Sequence, residues 1–344
     1  MNLFLAPLWV FSLGESGNFY KANLHSHSTF SDGKLTPAEM KKIYMEEGYS
    51  IIAFTDHNAL VPHPELAEEG FLPLSGLEID ITEENEKPWP ERKTCHFCLI
   101  ALEPDNVIQP CYHKTKYQTK VADQVCFDPE KPDFERVYNG ETISRFMKEG
   151  RACGFFVTYN HPAWSMENYS DYMGYHGMHA MEICNFGCVE AGYMDYCPRE
   201  YDDMLRGGER IFCIGTDDNH NLGVRGTRRW DSFGAFTVIK AEKLEYRTIT
   251  RALEEGNFYA SQGPEIRELY LEDGKVHITC SPAEKIELTT GVRRASRVWA
   301  EEGESATEAV FDVKPEDGYF RITVTDHNGR HANTNAYFMD EVLS

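Results

Sequence analysis

Residues 35–58 read LTPAEMKKIYMEEGYSIIAFTDHN. Thr36 is a good N-cap, Pro37 fits the first helical position, and Glu39 completes a T-x-x-E capping box. Met40, Ile43 and Tyr44 share one face of the helix this predicts. Gly48 suits the stop, because glycine takes the left-handed backbone of a helix end without strain. Ser50–Phe54 then read as a buried strand, and TDHN falls at its C-terminal end. Such a unit, a helix feeding a buried strand that ends in polar residues, is the repeating element of α/β folds.

The same order recurs downstream. ETISRFMKEG (141–150) precedes GFFVTYNHP (154–162), a strand pattern ending at His161. REYDDMLRGG (199–208) precedes RIFCIGTDDNH (210–220), ending at Asp217, Asp218 and His220. A further helix pattern, LEYRTITRALEEG (244–256), follows the strand-like FGAFTVIKA (233–241). In a largely parallel α/β barrel or sheet, residues placed just after each strand gather at one mouth. Between Glu103 and Asn139 the periodicity fades, and that insertion reads as a lid, a substrate loop or a disordered excursion. After Gly263-Pro264, runs of alternating apolar and polar residues are joined by Asp-Gly and Asn-Gly turns, the pattern of a small antiparallel β-sandwich. The expected division is an N-terminal segment, 1–19, packed on the barrel or the β domain, an α/β domain over 20–262, and a β-sandwich-like domain over 263–344.

A chain of 344 residues exceeds one ordinary core and agrees with such a division. No stretch of 18 apolar residues is present to span a bilayer, so no membrane role is expected. The opening MNLFLAPLWVFSLG is apolar but carries no Lys or Arg before Lys21. A secretory signal needs a basic start, so these residues read as packed structure. The net charge is −22, from 56 acidic and 34 basic residues. Such a surface repels nucleic-acid phosphates. Ten cysteines are scattered, with one CxxC, Cys95 and Cys98, inside the strand-like CHFCLIAL. Without a second pair they read as buried thiols rather than a zinc ribbon, in a reducing, cytoplasmic setting.

Several clusters carry residue types suited to metal chemistry. In NLHSHSTFSDG (23–33), His25 and His27 flank Ser26, so on a strand both imidazoles point the same way and can chelate Zn, Mn or Fe. Asp32 on the adjoining loop offers an oxygen. Asp56-His57 closes the first TDHN, and Glu78 in SGLEIDI is placed to bridge two cations. His96, His161 and the Asp218/His220 pair complete the series. Each alone has an ordinary structural explanation. Together they form an ordered set, each member near a strand end.

In that order LHSHSTFSDG, FTDHN, GLE, the His-bearing strand, NHP and DDNH resemble the PHP (polymerase and histidinol phosphatase) family of metal-dependent phosphoesterases. The resemblance runs from about Tyr20 to Ala260. GNFYASQGPEI and the β region ending DHNGRHANTNAYF are similar to the family's two-domain branch. The resemblance implies a distorted, seven-stranded TIM-like β/α barrel followed by the small β domain, and two or three divalent ions. One ion would be held by His25, His27, Glu78 and Asp218, a second by Glu78, His96 and His161, and a third by Asp32, His57 and His220. Asp217 is then expected beside the cluster and Asp56 as the group that orients His57. Arg225 and Arg228, in the loop after His220, are candidates for contacting phosphate, as is Arg229, against ordinary surface ion pairing. Lys114 and Lys116 are weaker ones.

The implied activity is hydrolysis of a small, anionic, phosphorylated substrate by a hydroxide bridging two cations. The same hydroxide can attack an amide, carbamate or carboxylic ester, and a barrel that only binds metal would serve as a sensing module. Oligomeric state is not legible. TDHN recurs at Thr325–Asn328, but there it runs into Gly329, and Asn-Gly marks a tight hairpin turn. His57 is therefore expected to be a ligand and His327 is not.

Overall fold

The computed structural model describes Leu8–Trp9 and residues 17–342. Leu8–Trp9 forms a short strand, β1. The expectation for positions 1–7 and 10–16 lies outside the described residues. The α/β part is built on seven strands hydrogen-bonded in chain order. These are β2 (Asn18–Asn23), β3 (Ile51–Phe54), β4 (Leu72–Thr82), β5 (Thr94–Ala101), β6 (Phe155–Asn160), β7 (Ala180–Asn185) and β8 (Phe212–Thr216). β9 (Phe236–Ala241) lies antiparallel against β2.

β9 also approaches β8, at the far end of this order. Thr237 Oγ1 on β9 accepts from Gly215 N at 3.3 Å and donates to Gly215 O at 3.0 Å on β8. A Cβ at Gly215 would lie 2.8 Å from Phe236 O, so only glycine permits this approach. β9 is thus tied to β8 through a threonine side chain, while the continuations of β2 and β8 pair through backbone at Ser26 and Asn219.

The largely parallel reading needs one correction. β5 runs antiparallel to both β4 and β6, whereas β2–β3–β4 and β6–β7–β8 are parallel. Only residues 83–93 separate β4 from β5, too short for a crossover, so the chain must return as a hairpin.

Helix α1 (Pro37–Glu46) carries the capping box of Thr36 and Glu39, and Gly48 follows with φ +77°. Strand alternation then decides the packing of β3. Ile51 and Ala53 face an inner cluster that includes Ile249 and Leu253 of α6 (Tyr246–Glu254), while Ile52 and Phe54 pack with Met40 and Tyr44 of α1. On the far side α2 (Gly140–Ala152) and α5 (Pro198–Arg206) cover β5, β6 and β7 through Phe146, Met147, Tyr201 and Met204. Two short helices, α3 (Tyr169–Tyr172) and α4 (Phe186–Glu190), lie between them in the chain. Among the described residues, no helix is long and apolar enough to cross a membrane. All ten cysteines are free; Cys95 and Cys98 are buried on β5.

The 103–139 insertion holds only one short 3-10 turn but is pinned to the barrel. Arg136 is buried against Asp80, donating to its carbonyl at 2.9 Å and its carboxylate at 3.1 Å. Lys120 Nζ donates to Ser31 O.

The remaining strands form two facing sheets. The first contains β1, β11 (Ile266–Glu272), β12 (Lys275–Ala283) and β15 (Ala306–Asp312). The second contains β13 (Lys285–Thr290), β14 (Ala295–Trp299), β16 (Tyr319–Thr325) and β17 (His331–Thr334). Leu269, Val276 and Ile278 of the first sheet share a core with Ile286, Leu288, Ile322 and Val324 of the second. β10 (Phe258–Ser261) pairs with both β9 and β17, so this second sheet continues into the barrel sheet. Arg321 on β16 also holds Asp202 of α5 through two 2.8 Å contacts, both residues being buried.

Candidate metal centre

Two segments that follow strands are laced together first. After β2, His27 N donates to Asn219 O at 3.1 Å, and Asp218 N donates to His25 O at 3.0 Å. Ser26 turns the other way, its hydroxyl donating to Ala53 O at 2.8 Å, which leaves His25 and His27 on one side. His25 Nε2 and His27 Nε2 stand 3.1 Å apart. His161 and Asp218 have φ of +24° and +49°, a conformation that β-carbon-bearing residues adopt at a cost and that clusters at functional sites.

Glu78, fully buried on β4, is the centre of the group. Its Oε1 lies 3.0 Å from His96 Nδ1, 3.2 Å from His161 Nε2 and 3.3 Å from His25 Nε2. Its Oε2 lies 2.9 Å from His57 Nδ1 and 3.4 Å from His27 Nε2. Asp218 Oδ1 lies 3.0 Å from His27 Nε2 and 3.2 Å from His25 Nε2. At the outer edge, Asp32 Oδ1 is 3.4 Å from His220 Nε2 and 3.8 Å from His57 Nε2. All nine residues read from the sequence as ligands fall within groups whose donor atoms lie within 4.8 Å of one another. The grouping differs from the expected sets: His27 stands with Asp32, His57 and His220, Cys98 joins His25 and Glu78, His161 stands with His25 and Asp218, and His57 stands with Glu78 and His96 as well.

The donor set fits divalent cations on its own geometry. Glu78 Oε2 and Asp218 Oδ1 are buried and, among the described residues, accept no hydrogen bond of good geometry although ring nitrogens surround them. Buried carboxylate oxygens rarely go unbonded. Imidazole and carboxylate lone pairs converging without intervening protons are what a borderline cation requires. The same side chains attract one another strongly. Burial disfavours the charged form of His57, His161 and His220, yet the surrounding carboxylates outweigh it and raise each to about 9. Burial likewise opposes ionised Glu78, and the histidines around it, His25 foremost, hold it well below the usual carboxylate range.

The model of the PHP domain matches residues 23–212, more than half of the chain. The chain belongs to the PHP domain family. A two-domain protein from Bacteroides vulgatus containing a predicted PHP-like metal-dependent phosphoesterase is 17% identical, with 94% of each chain covered and a TM-score of 0.46. An amidohydrolase from Chromobacterium violaceum, with bound sulfate and no metal, is 15% identical over 69% of this chain and 96% of that one, at a TM-score of 0.39. An uncharacterized protein of Methanocaldococcus jannaschii is 25% identical over 118 residues, 30% of this chain; the match spans about half, 54%, of that protein's length.

Three of the expected PHP site residues stand elsewhere. Asp56 does not touch His57: its carboxylate accepts from Ser28 N, Ser28 Oγ, Ser31 N and Ser31 Oγ, fixing the loop that carries Asp32. Arg225 is held by Glu46 at 2.6 Å and Glu47 at 2.8 Å, at the C-terminal end of α1, and does not line the cavity over the metal ligands. Arg228 is exposed on the same loop and does not line the cavity over the metal ligands. In an acidic protein, surface arginines find carboxylates before they find substrate. Asp217 faces away from the cluster, accepting from Phe233 N, Gly234 N, Ala235 N and Tyr44 OH, while Asp218 faces into it. Burial pushes Asp217 up to about 6.

Sequence reasoning missed three carboxylates that position the centre. Glu182 Oε1 accepts from His25 Nδ1 at 2.7 Å and Thr216 Oγ1 at 2.6 Å, and its Oε2 accepts from His161 N at 3.0 Å. Asp195 accepts from Ala163 N and Trp164 N, and Asp231 from His220 N and Asn221 N. For Glu182 a signal existed: it is the one acid in the otherwise apolar AMEIC of β7. Asp195 and Asp231 lie in irregular segments with no pattern to mark them.

Proposed function

We propose that this PHP-family chain is a metal-dependent hydrolase of small phosphoesters with a di- or trinuclear centre. The observation that carries the reading is the pair of buried, unbonded oxygens, Glu78 Oε2 and Asp218 Oδ1, set among inward-facing imidazoles at the base of an open cavity of about 370 Å³. His25, His27, Glu78 and Asp218 would hold one ion, Glu78, His96 and His161 a second, and Asp32, His57 and His220 a third. Zn, Mn or Fe suit such nitrogen and oxygen donors. Bound there, the cations would lower the pKa of water and neutralise charge that develops on the substrate.

The chain's own residues supply position. Glu182 fixes the tautomer of His25, because a carboxylate can only accept, so Nδ1 carries the proton and Nε2 faces the cluster. Asp195 and Asp231 hold the backbone beside His161 and at His220. Arg225, Arg228 and Asp56 have no part in this proposal. A net charge of −22 opposes nucleic acid as substrate or partner. Ten unpaired thiols favour a reducing, cytoplasmic setting.

One observation favours a second reading. Among the described residues no Lys or Arg lines the cavity, so phosphate charge would be met by cations alone. A neutral amide, carbamate or carboxylic ester makes no such demand. Protein purified without chelators, assayed for metal by mass spectrometry and for turnover of p-nitrophenyl phosphate, bis-p-nitrophenyl phosphate and p-nitrophenyl acetate with added Mn or Zn, separates the two. Turnover of phosphoesters supports the first reading. Turnover of acetate alone supports the second, and bound metal with no turnover returns the chain to a binding role.

A further inference from the structure

One wall of the cavity is aromatic and contributes no ligand. Trp164 follows His161 in the turn held by Asp195, and its ring meets the edges of His96 at 5.2 Å and His161 at 5.1 Å. Trp89, from the hairpin joining β4 to β5, reaches over to Trp164 at 6.1 Å. Ala191 and Leu222 continue the apolar rim. Trp89 is 60% exposed and Leu222 65% exposed, although a tryptophan in a folded protein is ordinarily well covered. Two uncovered apolar side chains beside a cluster of buried, charged groups make a surface that is apolar outside and polar at its base, the usual build of a small-molecule site.

The charges nearby point the same way. Beyond the nine ligands, of which Asp32 lies outermost, the charged group lining the cavity among the described residues is Asp231. Of the cations nearby, Arg136 is engaged by Asp80 and Lys93 by Asp171, while Lys120 donates to the Ser31 carbonyl on the opposite, Asp32 side and does not line the cavity. A second anionic group on a substrate would meet no cation on this wall.

We propose that Trp89 and Trp164 form the specificity wall of the site, selecting substrates with a planar aromatic or similarly apolar moiety and a single anionic, hydrolysable group. The proposal deepens the phosphoesterase reading and rests on it for the nature of that group. The aromatic moiety lies against the tryptophans while the anionic group points to the base of the cavity, and compact alkyl phosphates leave the wall uncovered.

Calorimetric titration of the Mn- or Zn-loaded full chain tests this without turnover. Phenylphosphonate is expected to bind about tenfold more tightly than methylphosphonate, the scale of one aromatic contact. In Trp89→Ala, an exposed hairpin position whose fold is checked by circular dichroism, that preference should fall several-fold; Trp164→Phe should keep most of it and Trp164→Ala should lose it. 4-Phosphonobenzoate, with a second anion, should bind more weakly than phenylphosphonate. Equal binding of the two phosphonates, an undiminished preference in Trp89→Ala, or tighter binding of 4-phosphonobenzoate would overturn the proposal. Benzohydroxamate and acetohydroxamate form a parallel pair with a different metal-directed group. If only they bind, and the phenyl preference persists, the phosphoryl reading fails while the aromatic wall stands; if neither pair shows the preference, the wall falls.

Discussion

His25 Nδ1 donates to Glu182 Oε1 at 2.7 Å, with both side chains buried, and that bond decides which nitrogen of His25 faces Glu78 and Asp218. Partners of this kind tune metal affinity without touching the ion. Glu182→Gln is expected to weaken metal binding by about 10–100-fold while the fold persists. Chelator competition measures the affinity and circular dichroism the fold; wild-type affinity would deny Glu182 this role.

Glu78 touches more of the cluster than any other side chain described. Glu78→Ala or His57→Ala should abolish turnover and lower metal content. Near-wild-type activity in either variant sinks the cluster as drawn, and metal analysis of the same preparations shows whether the loss lies in binding or in chemistry.

Asp217 and Asp218 are adjacent yet do opposite work. Asp217→Ala strips acceptors from three backbone N–H groups and a buried tyrosine hydroxyl, which should cost about 3 kcal/mol or more in urea unfolding. Asp218→Asn should cost less stability and lose more metal. The reverse ranking would mean that the two roles have been exchanged.

Glu167 is buried beneath the His161 turn, and Tyr138, Tyr159 and Tyr175 donate to it. Burial raises it to about 7, against the pull of those hydroxyls. Between the ordinary carboxylate value and 7 the folded protein therefore holds a proton that the unfolded chain has released. Stability contributed by this group is present below that window and falls as pH rises through it, by up to about 3 kcal/mol. Glu167→Gln should remove this slope, so the variant gains on wild type as pH climbs from 5 to 8. Parallel unfolding curves for the two proteins across that range would contradict the assignment.

Arg321 and Asp202 join the β-sandwich region to α5. Arg321→Ala leaves the buried Asp202 carboxylate with only the half-exposed Arg206 at 3.9 Å and the Tyr319 hydroxyl, at a cost of about 3 kcal/mol. Arg321→Met with Asp202→Leu should cost much less, because no charge remains unpaired. Unfolding of both variants in urea distinguishes an interface held by this pair from one held by the apolar contacts around it.

What the amino-acid sequence determined by itself was local. The capping box of α1, the common side of His25 and His27, the strand ending at the first TDHN and the Asn328-Gly329 turn follow from interactions spanning a few residues. In the second TDHN the Asp326 carboxylate accepts from Asn328 N and Arg330 N, closing a turn, and among the described residues His327 meets Ser305. Family motifs extended this legibility to all nine clustered donors. Tertiary structure alone decided the direction of each carboxylate. Asp56 turned to the serine loop, Asp217 to the backbone at 233–235, and Glu182 to a histidine 157 residues away. Those choices depend on which hydrogen-bond donors the folded strands bring near a buried oxygen, and a buried carboxylate takes whichever donors satisfy it. Such donors come from chain segments far apart, so no local pattern records them.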